Sequence, residues 1–194
     1  MTNSKFIKTL GIAAAVGLSA CASNTQADSK TNSIDPRAVD AVLVALDDEY
    51  MAQSLYKAIL DKHGDVRPFS NIINAEKHHA DMLIGLLNIY GQPVPANPYE
   101  NGQKAKFVAP ATLLEACQTG VTAEIANIDL YNKRLLPAVT NHPEITDVML
   151  RLRDASEQRH LRAFQRCVSN GGVMGQGGGR GRGRGNGRGM SQGY

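Results

Sequence analysis

The chain predicts an all-α fold: a four-helix bundle made of two antiparallel hairpins joined by one long crossover. Three observations carry this. Apolar residues recur at helical spacing in four separate segments, Gly and Pro signals punctuate them, and the connections between them are very unequal in length. The period is confined to residues 35–170 of the 194, so one folded domain is expected between a leader and tether and a low-complexity tail.

The first helix begins at Asp35-Pro36, an N-cap followed by proline at the first helical position, and carries Val39, Val42, Leu43, Leu46, Met51, Leu55 and Ile59 at helical spacing to His63-Gly64. The second opens at Pro68 and keeps Ile72, Ile73, Met82, Leu83, Leu86 and Leu87 until Gly91 stops it. A third is expected from about Pro110 to Leu136, where Pro137 interrupts, and a fourth from Pro143 to about Asn170, ended by Gly171-Gly172. A few residues join helices one and two, and likewise three and four, which makes each pair an antiparallel hairpin. Between the hairpins lies "GQPVPANPYENGQKAKFVA". Extended, those roughly twenty residues reach about 60 Å, more than the ~40 Å of a long helix, so they can run from one end of a bundle to the other.

Chemistry enters with Glu76 and His79 in helix two and Glu157 and His160 in helix four, each pair three residues apart. In an α-helix a three-residue step returns to within about 60° of the starting face, so both members of a pair can reach one ion, whereas His78 points nearly the opposite way. Seven glutamates and five histidines would produce about 0.2 such pairs by chance, and two are present. Helices one and three add Glu49 and Glu124. Glu49, His79, Glu124 and Glu157 all fall near the middle of their helices and so meet at one level, which exposed ion pairs have no reason to do. Four carboxylates in a dry core repel one another and would be neutralised by two divalent cations. Carboxylate with imidazole suits iron, or manganese as the other candidate, and zinc could occupy such a site adventitiously.

Cys117 precedes Glu124 by seven residues and Cys167 follows His160 by seven. In an antiparallel hairpin both lie two turns from the metal level, toward the same end, which permits a Cys117–Cys167 disulfide; two free buried thiols are the alternative. Tyr56 and Tyr131 each follow a candidate ligand by seven residues and read as core tyrosines, or as proton or electron relays at the site. Asn127 and Asp129 are candidates to orient a ligating histidine.

One Glu from each of two helices and a Glu-x-x-His from each of the others is the inventory of ferritin-like di-iron and di-manganese bundles. Through "DDEYMAQSLY", "PFSNIINAEKHHADM", "GVTAEIANIDLY" and "SEQRHLRAF", residues 36–170 resemble the ferritin-like superfamily, and more closely the bacterial family catalogued as domain of unknown function 2202. The Glu-x-Arg-His form at 157–160 is also similar to the fourth-helix motif of many di-iron proteins, where Arg159 would be a supporting or surface residue. The resemblance implies metal-dependent redox chemistry of the rubrerythrin, bacterioferritin or manganese-catalase kind, with no catalytic group beyond the metal ligands. The four-cysteine iron module of rubrerythrins is lacking, since the chain has three cysteines, so reductive turnover would need an external electron donor.

At the start, Lys5 and Lys8 precede the apolar run "TLGIAAAVGLSA", too short to span a bilayer, and then Cys21. "LSAC" resembles a bacterial lipobox, so residues 1–20 read as a lipoprotein signal peptide and 21–34 as a lipidated cysteine on a flexible tether. Ala22 follows where an aspartate would, by resemblance to Gram-negative lipoproteins, retain the protein in the inner membrane. An outer-membrane lipoprotein facing the periplasm is expected. The tail, 171–194, holds Arg180, Arg182, Arg184 and Arg188 of a chain whose net charge is only +3; it reads as a solvated disordered tail, with envelope polyanions as the alternative partner. The rest is nearly neutral, and nucleic acid is not an expected partner.

The sequence therefore points to an envelope-anchored bundle with two iron ions, a candidate peroxidase- or ferroxidase-like oxidoreductase acting on peroxide, dioxygen or ferrous iron. The alternative is a non-catalytic envelope binding or structural lipoprotein held by metal or a disulfide. A homodimer is compatible with either, whereas iron storage in a many-subunit cage sits awkwardly with a lipid anchor.

Overall fold

A computed structural model describes residues 34–173. The expected leader, lipidation at Cys21 and tether, up to residue 33, and the tail from residue 174 lie outside the described residues.

Helix α1 is Pro36–His63. Asp35 caps it, its Oδ1 accepting from the N–H groups of Arg37 and Ala38 at 2.9 and 3.0 Å, and Gly64 ends it at φ +82°, a conformation that suits glycine. Helix α2 is Phe69–Ile89. Helix α3 starts with Leu113–Leu130 and runs on through a π-helical segment, Tyr131–Leu135, into a short turn, Leu136–Ala138. Its start lies a turn beyond Pro110 because Thr112 and Glu115 form a capping box, each side chain accepting from the other's backbone N–H. Its end lies beyond Pro137, which was expected to interrupt. The π segment widens the backbone at Lys133, where the proline ring would otherwise press on the carbonyl four residues back. Helix α4 comprises Pro143–Ala155, a second π segment, Ser156–His160, and Leu161–Ser169. No strand occurs among the described residues, and no helix there is long and apolar enough to cross a membrane.

Contacts between named residues fix the directions. Along α1, Asp35, Asp40, Asp48 and Tyr56 bond to His142, Arg134, Asn127 and Glu124 in turn, so α3 and the loop after it run antiparallel to α1. Glu49 and Gln53 meet His79 and Glu76 of α2 in the same reversed order. Between α3 and α4 the pairs are Cys117 with Cys167, Gly120 with Phe164 and Asn132 with Arg153. The segment after α2 leaves from Tyr90, whose ring stands against His142 at one end of the bundle. It arrives at the other end, where Ala109 and Pro110 carbonyls accept from Lys62 Nζ and meet His63 Nε2. On the way Lys104 bonds Asp47 of α1 at 2.6 Å, and Tyr99 stacks on Phe107. The long crossover is therefore present.

The interior is divided. One apolar cluster holds Val42, Leu46, Leu83, Leu87, Leu135 and Met149; the other holds Ile59, Phe69, Cys117 and Phe164. In the second, Tyr56, Phe69 and Phe164 pack with ring centroids 5.0–5.7 Å apart. Gly120 is where α3 admits the Phe164 ring: a Cβ there would stand 2.6 Å from it. Gly120→Ala should therefore cost about 1–2 kcal/mol, overpacking outweighing the helix-propensity gain of about 1 kcal/mol. A denaturant midpoint that does not fall would show that Phe164 swings aside freely.

Candidate metal centre

Between the two apolar clusters, at mid-height of the helices, five ionisable side chains converge from all four: Glu49 of α1, Glu76 and His79 of α2, Glu124 of α3 and His160 of α4. Each is buried, the most exposed being His79 at 7 %. They form two triads, Glu49–Glu76–His79 and Glu76–Glu124–His160, in each of which the potential ligand atoms lie within 4.8 Å of one another. Glu76 belongs to both. Its Oε2 lies 2.9 Å from His79 Nδ1, and its Oε1 lies 3.1 Å from His160 Nδ1. Glu49 Oε2 and Glu124 Oε2 complete the triads at 3.3 and 3.6 Å from the respective Nδ1 atoms.

Two tyrosines hold the outer carboxylates from the opposite side. Tyr56 donates to Glu124 Oε1 at 2.6 Å, and Tyr131 donates to Glu49 Oε1 at 3.1 Å. Each thus occupies one oxygen and leaves the other facing the histidines. The pairing is crossed: the tyrosine seven residues after one glutamate serves the other glutamate, because α1 and α3 are antiparallel neighbours.

Glu157 is not part of the cluster. It is exposed, and the reason is the π segment Ser156–His160. With about 4.4 residues per turn in a π segment, three steps leave Glu157 roughly 115° from His160 instead of about 60°. Ser156, four residues before His160, takes the buried position instead. The expected set of four carboxylates is therefore corrected to three. Asn127 and Asp129 also differ from expectation. Asn127 donates to Asp48 Oδ2 at 2.6 Å and makes no hydrogen bond to either histidine, and Asp129 pairs with Lys133 on the surface. His78 is exposed, as its position on the helix required. Cys117 and Cys167 form the disulfide that their register allowed.

The electrostatics follow from crowding. Burial, then the charge of Glu76, push Glu49 up to about 8. Burial acts the same way on Glu76, but His160 and His79 beside it prevail and hold it at about 2, so it carries the negative charge of the pair. For His79 burial works toward the neutral form, yet Glu49 and Glu76 raise it to about 9; for His160 burial is likewise outweighed, by Glu124 and Glu76, and it rises to about 10. Asp48 is pushed up to about 6 by burial, against the hydrogen bond from Asn127.

The donor set fits a pair of hard or borderline cations. His160 Nδ1 is buried and makes no hydrogen bond, although two carboxylates flank it. A buried nitrogen whose hydrogen-bonding capacity is unmet is costly, and a cation between it and the two carboxylates would use it. Beside the carboxylates, between α1 and α3, a cavity of about 50 Å³ is walled by Met51, Leu55 and Phe107 and opens on Glu49, Glu76 and Glu124. It has room for a molecule or two of water's size.

No curated protein and no solved structure matches the chain. The family model described as an uncharacterized protein domain, DUF2202, matches residues 38–177. That span takes in all but the first two residues of α1, the whole of α2 to α4, every converging residue and both disulfide cysteines, and it exceeds half of the 194 residues, so the chain belongs to the DUF2202 family.

Proposed function

We propose that the protein is a ferritin-like, envelope-anchored oxidoreductase with a two-metal carboxylate–histidine centre. Glu49, Glu76 and His79 would hold one ion and Glu76, Glu124 and His160 the other. The observation that carries this reading is the convergence of two buried carboxylate–histidine triads that share Glu76, in one of which His160 Nδ1 makes no hydrogen bond. The antiparallel ring of helices and the end-to-end crossover support the ferritin-like assignment. Iron, or manganese in its place, would supply the redox change by which peroxide or dioxygen is reduced or ferrous iron oxidised.

The chain's own groups do the rest. Tyr56 and Tyr131 fix the orientation of Glu124 and Glu49. Phe107, Met51 and Leu55 keep bulk water from the carboxylates and admit only small molecules through the adjoining cavity. Three carboxylates carry at most three negative charges against the four positive charges of two divalent ions. The surplus positive charge would favour a small anionic or readily deprotonated ligand from that cavity. The disulfide accords with an oxidising compartment, and with anchoring through Cys21 at the periplasmic face of the outer membrane.

Anaerobic titration with ferrous iron, followed by peroxide, tests the proposal. Two ions should bind per chain and be oxidised rapidly. Protons should leave Glu49, His79 and His160 as they bind, since ligands must be deprotonated, so affinity should rise with pH through neutrality. Stoichiometric metal that never turns over would instead favour a structural envelope lipoprotein, a reading to which the disulfide also lends itself.

A further inference from the structure

The bundle has a second opening, on the side away from the small cavity. Between α2 and α4 lies a groove of about 410 Å³, within the size range of small-molecule sites. Its floor is apolar, formed by Met82, Leu152 and Ala155, and it reaches the ring of His79. Its rim carries His78, Arg151, Arg159 and the Gln158 amide, all exposed. Arg151, Ala155 and Arg159 of α4 and His78 and Met82 of α2 line the same hollow, so α4 turns two guanidinium groups toward it.

The charges there are uncompensated. The one carboxylate on the rim, Asp154, is engaged by Arg153 Nε at 2.7 Å. Among the described residues neither arginine nor His78 has an ion-pair partner. Ordinary solvated arginines would sit on a convex helix surface. Here two planar guanidinium forks, which suit carboxylate and phosphate oxygens, border a concavity with an apolar base.

We propose that this groove binds a small organic anion bearing two or more carboxylate or phosphate groups, the oxyanions on Arg151 and Arg159 and the remainder over Met82 and Ala155. Bound there, the anion lies against His79 and closes the centre's most exposed side. Ligands of water's size and larger organic anions thus approach the polar cluster from opposite faces.

Isothermal titration of the metal-free, full-length chain with citrate and, separately, pyrophosphate tests this independently of the metal reading. At least one probe should bind at one site per chain. Arg151→Ala and Arg159→Ala should each weaken it by about tenfold, in line with the loss of one charge-assisted contact. Citrate binding alone would assign carboxylates, and pyrophosphate binding alone would assign phosphates. Both residues are exposed, so the variants should fold, which circular dichroism checks. The proposal is overturned if neither probe binds, if the double variant binds as tightly as the parent, or if affinity is lost only when Arg180, Arg182, Arg184 and Arg188 of the tail are replaced.

Discussion

Glu76→Ala should strip both ions from the centre, whereas Glu49→Ala or Glu124→Ala should each cost one. The asymmetry comes from the two oxygens of Glu76, one turned to each histidine, so that this single carboxylate is common to both triads. Losing even an outer hydrogen-bond partner of a ligand costs about 10–100-fold in metal affinity, and a shared ligand should cost at least that much at each ion. Elemental analysis after anaerobic loading gives the count directly. Glu76→Gln, which keeps the volume and removes the charge, separates metal loss from misfolding. Glu157→Ala should leave both ions in place because its side chain lies outside the cluster. A Glu76 variant that still held one ion firmly would mean that the two triads are independent and that the shared position is misread.

Removing the Cys117–Cys167 bond should lower stability by about 4 kcal/mol in the chain-entropy model, given the 50-residue separation of the two cysteines. For a domain of this size that corresponds to a fall of roughly 10–15 °C in Tm. The bond joins α3 to α4 within the second apolar cluster, beside Phe164, so the double Cys→Ala variant also leaves a small packing defect. Reduction of the parent protein by dithiothreitol isolates the covalent contribution. If reduction left Tm unchanged, the α3–α4 hairpin would be held by packing alone.

The parts of the fold that could be read from the sequence are those with local signals. Asp35-Pro36 and Gly64 delimit α1 because an N-cap and a positive-φ glycine act within a few residues. The five converging residues could be read because mid-helix positions in an antiparallel bundle meet at one height, whatever the details of packing. Glu157 could not. Its placement assumed an unbroken 100° per residue, and nothing in "SEQRH" announces a π segment; that register is settled by which residue, Ser156 or Glu157, fits against neighbouring helices. Pro137 misled for a related reason, since the π segment before it removes the clash that normally ends a helix. The Thr112–Glu115 box, by contrast, was written in the chain as T-L-L-E, a signal stronger than Pro110 for the start of α3. Asn127 pairs across to Asp48, a residue 79 positions away, a contact that no short-range pattern encodes.

The polar layer at mid-height has a mechanical consequence. It interrupts the greasy interior, so in the metal-free protein the apolar halves above and below meet across a seam of hydrogen bonds and ion pairs as well as through four continuous rods. Cations seated in that layer would rivet all four rods at their midpoints, so that metal loading raises the temperature at which the bundle melts.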